Sequence, residues 1–135
     1  MAKRRGFLQA LAAAPAMFAA TGSKIPNLTL PEAQAKLTKE PFGDLRIYFD
    51  GATDQIRSMT AGSLHLKAGM TPHPPHDHPE EEFMVITEGT GEIFLDGKTT
   101  KVGPGSMMYC AANKSHGIVN TGKTPLLFFF YKWKA

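Results

Sequence analysis

Apolar and polar residues alternate in short runs along most of this chain, and turn residues interrupt them roughly every eight to twelve positions. The runs are DLRIYFD, QIRSMTAGSLHLK, EEFMVIT, GEIFLD, KTTKV, SMMYCA, HGIVN and PLLFFFYKW. Alternate side chains of a strand share a face, so each run predicts a strand with one face turned to a core. About eight such strands match a double-stranded jelly-roll barrel. Asp96-Gly97, between GEIFL and KTTKV, predicts a two-residue hairpin turn, because that pair tolerates positive φ twice. One segment departs from the strand period. Pro31 to Lys39 (PEAQAKLTK) reads as a short helix, with Pro31 suited to its first position and Pro41 and Gly43 ending the pattern. The expectation is an all-β fold with a short N-terminal helix, and 135 residues without an internal repeat make one domain.

The start of the chain does not follow this pattern. Lys3, Arg4 and Arg5 precede Gly6-Phe7-Leu8 and the apolar stretch LQALAAAPAMFAA, which is too short to span a bilayer. A charged start, a short apolar core and then small residues form the layout of a signal peptide. Arg4-Arg5 followed by Phe-Leu is similar to a twin-arginine export signal, with Lys3 where Ser or Thr often stands. The expected division is a signal at 1–23, a segment with the short helix at 24–44, and the barrel at 45–135. The expected location is the periplasm or another exported compartment, with no stable membrane span after signal removal.

Export changes the reading of charge. The chain has 15 Lys and Arg against 12 Asp and Glu, and all the acids lie after residue 23. Removing Lys3, Arg4 and Arg5 leaves twelve of each sign. The basic pI near 9.1 therefore belongs to the signal and is no evidence for nucleic-acid binding, which needs a basic face. Cys110 is the only cysteine, so no internal disulfide forms, and its place in SMMYCAA marks it as a buried apolar residue.

Chemistry concentrates in PPHDHPEEEFMVITEG. If this segment is extended, His76, His78 and Glu82 point the same way, with Met84 and Ile86 inward and Phe83 and Val85 outside. His116 would share its inward face with Ile118 and Asn120. Imidazole nitrogens with a carboxylate suit a divalent transition ion such as Mn, Fe, Ni, Cu or Zn. By itself, His-x-His more often describes a histidine-rich loop with no ion. The punctuation around it adds weight: prolines hold the loop extended, and Gly69, Gly89-Thr90-Gly91, Gly103-Pro104-Gly105 and Asn113 mark turns on either side.

These residues give the chain a resemblance to the cupin superfamily. The first cupin motif, G-x5-H-x-H-x3/4-E-x6-G, is matched by Gly69, His76, His78, Glu82 and Gly89, with one extra residue between Gly69 and His76. The second, G-x5-P-x-G-x2-H-x3-N, is matched by Gly105, His116 and Asn120, with Ala111 in place of the proline and Asn113 in place of the glycine. Asn tolerates a left-handed turn well, and Ala111 makes the turn less rigid. The resemblance runs from about Leu45 to Trp133. It implies a jelly roll holding one divalent ion by His76, His78, Glu82 and His116, with Mn or Fe favoured and Zn, Ni or Cu possible. Twin-arginine export moves folded proteins, so the ion would be inserted in the cytoplasm, away from the tighter-binding Cu and Zn.

Four ligands leave one or two positions open on an ion that takes five or six, which separates a working metal from a structural one. Such an ion could polarise a carbonyl, hold an enolate, lower the pKa of a water or, as iron, bind dioxygen. The implied activity is that of an oxygenase, or of an isomerase or lyase of sugar-acid type, on a small oxygenated or carbonyl substrate. The competing expectation is a non-catalytic periplasmic module that binds a small molecule or metal.

Around the ligands, Glu80 has inward parity and is a candidate to orient a histidine, while Glu81 has outward parity. His73 lies near the expected pocket mouth. His65 could point inward, and Tyr48, Tyr109 and Tyr131 are candidate hydrogen-bond donors. In the last run, Lys132 and Lys134 share parity with Phe128 and Phe130, which predicts an outward aromatic pair. A second subunit, and so a homodimer, would cover it; the alternative cover is the segment Lys24–Lys39.

Overall fold

The computed structural model describes residues 24–135, and the expected export signal lies outside them. Two antiparallel sheets form the molecule. The larger contains β1 (Lys36–Glu40), β2 (Gly43–Gly51), β3 (Ser58–Leu66), β4 (Glu81–Glu88), β7 (Met107–Cys110) and β9 (Leu126–Lys134), in the order β1-β2-β3-β9-β4-β7. The smaller contains β5 (Gly91–Leu95), β6 (Lys98–Val102) and β8 (His116–Val119), in the order β6-β5-β8. This is the expected all-β jelly roll, and no helix among the described residues is long and apolar enough to cross a membrane.

Each expected run becomes a strand. Leu64, Leu66, Met84, Ile86, Met108, Leu126 and Phe128 of the larger sheet meet Ile93 and Ile118 of the smaller in one buried core. The β5–β6 hairpin closes through Asp96 (φ 48°) and Gly97 (φ 86°), the double positive φ that a two-residue turn needs. Gly89 (φ 83°) ends β4, and a Cβ there would lie 2.6 Å from the Pro125 carbonyl oxygen, so neither the conformation nor the space admits a side chain.

The structure corrects two expectations. The helix expected over Pro31–Lys39 is a single 3-10 turn at Glu32–Gln34, and Lys36–Glu40 instead pairs with β2 along Lys36↔Ile47 to Glu40↔Gly43. A free sheet edge offers a row of backbone hydrogen bonds that outweighs the local helical preference. This segment extends the sheet at its edge. In β9, Phe128 is buried in the core and Phe130 packs against it, so both face inward. They stand opposite Leu64 and Gly62 on one side and Ile86 and Met84 on the other. A Cβ on Gly62 would meet the Phe130 ring at 2.6 Å, so the missing side chain makes room for that ring. The outward aromatics of β9 are Phe129, Tyr131 and Trp133, which join Tyr48, Phe83 and Tyr109 on the convex face.

Candidate metal centre

Backbone pairing brings the two halves of the site together. His76 N–H donates to the His116 carbonyl at 3.0 Å, and His116 N–H donates back to the His76 carbonyl at 2.9 Å. The proline-rich loop is thereby stitched to β8 at the histidines themselves. Asn113 adopts φ 64°, the left-handed turn expected of it, and donates its N–H to the His78 carbonyl at 2.7 Å. Ala111 in place of proline leaves this turn intact. Glu82 enters from β4 with inward parity, beside buried Met84 and Ile86.

The imidazoles of His76, His78 and His116 converge so that one ring nitrogen from each lies within 4.8 Å of the others, a group that could hold a metal ion. The Glu82 carboxylate borders this group, with Oε1 at 3.0 Å from His78 Nε2 and 3.1 Å from His116 Nε2. Glu82 and His116 are almost wholly buried, at 5% and 2% exposure, whereas His76 is exposed and opens the cluster to solvent.

The other ring nitrogens assign the tautomers. His116 Nδ1 lies 3.0 Å from the Lys114 carbonyl oxygen and His78 Nδ1 lies 3.1 Å from that of Glu80. A carbonyl can only accept, so both Nδ1 atoms carry the hydrogen, and both Nε2 atoms of neutral rings present bare lone pairs. Two lone pairs then face one anionic oxygen at about 3 Å. That arrangement needs a positive charge among them, either a proton or a cation. The separations also equal the spacing, about 3.0 Å, of two ligands at right angles on one ion with bonds near 2.1 Å.

Without an ion, protons take that role. The hydrogen bond to Glu82 raises the proton affinity of His116 against the opposing effect of burial. Burial pushes the Glu82 carboxyl upward, but hydrogen bonds and charge from His116 and His78 outweigh it and hold the group below its ordinary range. Burial and the neighbouring His73, His116 and His78 lower His76 to about 4, which keeps its ring neutral and able to ligate.

The surrounding candidates divide cleanly. Glu80 orients His78 as expected, through its carbonyl and through Oε1 at 3.3 Å from Nδ1. His73 stacks on His76 with ring centres 3.7 Å apart. Glu81 faces outward and accepts a hydrogen bond from the Tyr109 hydroxyl at 3.3 Å. His65 does not point inward. Its neighbours Leu64 and Leu66 take the core face, and its ring meets Arg46 Nη1 at 3.3 Å on the outer side. Tyr48, Tyr109 and Tyr131 also lie on the outer face, so none of them reaches the cluster. Asn120 is wholly buried and structural: Nδ2 donates to the Leu66 and Thr124 carbonyls, both at 2.9 Å, and Oδ1 accepts from Gly122 N–H at 2.9 Å. Two neighbours escaped the sequence reading. Cys110 is buried as expected, but its Sγ lies 3.4 Å from His116 Nδ1. Lys132 stands directly across from Glu82 on the inner face of β9. The pairing of Glu82 with Cys110 and Lys132 was hidden because it depends on the order β9-β4-β7.

A family model for the cupin domain matches residues 62–131, which contain all four converging residues. A comparison with curated proteins finds no match. Among solved structures, the fold is similar to an RmlC-like cupin from Shewanella frigidimarina (TM-score 0.69, 15% identity, 84% of this chain and 96% of that one). It is also similar to KdgF from Halomonas sp. (TM-score 0.61, 20% identity, 85% and 96%). A third similar structure is the polyketide cyclase RemF from Streptomyces resistomycificus (TM-score 0.64, 21% identity, 80% and 80%). With the family match spanning just over half of its length, and both motifs meeting at one end of a jelly roll, the chain belongs to the cupin superfamily.

Proposed function

We propose that this cupin is a metal-dependent enzyme acting on a small oxygenated or carbonyl substrate, as an oxygenase or as an isomerase or lyase of sugar-acid type. His76, His78, Glu82 and His116 would hold one divalent ion, Mn or Fe in the native protein. The observation that carries the reading is the meeting of two bare Nε2 lone pairs and the Glu82 oxygen at about 3 Å, with His76 alongside. A bound ion supplies Lewis acidity, and iron adds redox chemistry. The chain's own residues then have defined tasks. The Lys114 and Glu80 carbonyls fix the His116 and His78 rings by their Nδ1 hydrogens, which keeps the Nε2 atoms aimed inward. The apolar layer of Met84 and Phe130 beneath the cluster excludes water from its inner side. Exposed His76 marks the side from which substrate enters. One solved neighbour is a polyketide cyclase, so the fold accommodates catalysis. His78→Ala should abolish turnover while leaving the fold intact; unchanged turnover would remove the enzymatic reading. Oxygen consumption with catechols, flavonols and keto acids separates the oxygenase from the isomerase or lyase.

A second reading, a non-catalytic binding module, draws on a specific observation. With His65 and the three tyrosines on the outer face, His73 is the one candidate proton carrier of that group still beside the cluster. A single tight ligand recovered unchanged from purified protein would favour this reading over catalysis. In either case we place the mature protein in the periplasm, exported folded by its twin-arginine-like start. Elemental analysis of periplasmic protein yielding only Zn or Cu would remove the preference for Mn or Fe. A homodimer remains the proposed assembly, now through the convex aromatics Phe83, Tyr109, Tyr131 and Trp133.

A further inference from the structure

Across the concave face of the larger sheet, one row of directly opposed residues runs Cys110, Glu82, Lys132, Thr60, Asp50. Directly opposed residues of antiparallel strands project to the same side, a few ångströms apart. This row lies just above the apolar layer of Met108, Met84, Phe130 and Gly62, so it forms the polar lip of the barrel on which Glu82 stands. Lys132 is half-buried there. An ammonium at such a position normally ends on a carboxylate, yet among the described residues no carboxylate oxygen lies within 4.0 Å of Lys132 Nζ.

Both acids in the row are engaged elsewhere. Glu82 Oε1 is held by His78 and His116, and Asp50 Oδ1 accepts the Thr60 hydroxyl at 3.0 Å. The charge of Lys132 nevertheless lies beside the cluster, because Lys132 is the direct cross-strand partner of Glu82. A divalent ion on three neutral imidazoles and one carboxylate leaves a net positive centre, and a free ammonium beside it adds a second positive charge. Two like charges held this close are stabilised by an anion between them.

We propose that Lys132 is the specificity-determining residue of this site, and that it anchors the carboxylate of a small 2-oxo or 2-hydroxy acid whose adjacent oxygen is directed to the metal centre. The inference rests on the metal reading above and names the substrate class. A carboxylate beside a carbonyl or hydroxyl has the two adjacent oxygen functions that such a pair of positive groups requires. The ammonium binds as a point charge without a fixed fork, so it accepts the anion in several rotations and leaves geometric selection to the centre.

The test uses the full chain and three variants, Lys132→Met, Lys132→Arg and His78→Ala, with metal content measured for each. Pyruvate and lactate, and their uncharged counterparts pyruvamide and lactamide, are titrated calorimetrically into protein with and without added Co(II). The expected result is binding of the acids in preference to their neutral counterparts. Lys132→Met should weaken acid binding at least tenfold, with metal content and neutral-ligand binding unchanged, and Lys132→Arg should restore most of it. Acid binding by Lys132→Met equal to that of the parent chain would overturn the proposal, as would loss of metal in that variant or no preference for the acids. Absence of metal from the parent chain would instead overturn the metal reading. In that case the acid preference of the metal-free parent over metal-free Lys132→Met decides the role of Lys132 separately.

Discussion

Glu82 carries one oxygen to about 3 Å from two imidazole nitrogens, and the nature of the site turns on what lies between them. If a cation belongs there, an amide in place of the carboxylate should remove the need for it, because an amide N–H can donate to a bare Nε2. Glu82→Gln should therefore unfold at nearly the same temperature as the metal-free parent, yet show little of the stabilisation that metal gives the parent. Saturation at about a hundred times Kd is worth about 2.7 kcal/mol, so thermal melts with and without Mn(II) resolve the difference. Equal metal-induced shifts in both proteins would argue against Glu82 as a ligand. The pH dependence follows from the same atoms. His116, its proton affinity raised above the ordinary value near 6.5 by the Glu82 hydrogen bond, must lose its proton before it can ligate. His76, lowered to about 4, is already neutral above pH 5. Metal affinity should therefore fall as pH drops through a value above 6.5, with proton release from His116 accompanying binding. Calorimetry at pH 6.5 in buffers of different ionisation enthalpy measures that release, and metal binding without it would contradict the assignment.

Between residue and fold stand the strands, and here the amino-acid pattern was informative to different degrees. The central runs became strands, and in the runs that carry His76–Ile86 and His116–Asn120 the predicted inner face is the buried one: Met84, Ile86, Ile118 and Asn120 are all buried. The His76↔His116 bridge was not legible, because the pairing of a proline loop with a distant strand depends on the closure of the whole barrel. Two readings failed for physical reasons. Lys36–Glu40 has helix-forming residues, but its partner edge on β2 decides its conformation. The lysines of β9 suggested an outward face, yet β9 runs beyond the apolar core to the open end, where a long side chain can bury its stem and keep its ammonium wet. The motif residue Asn120 proved to be a staple between β3 and the loop before β9. Asn120→Leu leaves two carbonyls and an N–H without their partner and should cost about 2–4 kcal/mol in denaturant unfolding. A loss below 1 kcal/mol would show that these bonds are not needed.

At the scale of the whole molecule, the two sheets divide the labour. Their shared apolar core sets the barrel, and the cluster closes one end, where β4 of the larger sheet meets β8 of the smaller. The convex side of the larger sheet leaves Phe83, Tyr109 and Tyr131 exposed, and Met107 more so. If a second copy covers that face, analytical ultracentrifugation should find a dimer, and Phe83→Glu should convert it to a folded monomer with unchanged metal content. A parent chain that sediments as a monomer at all concentrations would exclude this assembly.

The central claim is that four side chains from the loop, β4 and β8 hold one ion, and metal content per chain tests it most directly. Full-length protein, purified without chelators or affinity metals, should carry about one divalent transition ion per chain by elemental mass spectrometry. His116→Ala, folded by circular dichroism, should carry almost none. A parent chain without metal after Mn(II), Fe(II) and Zn(II) have each been offered, or a His116→Ala variant that keeps its full complement, would contradict it.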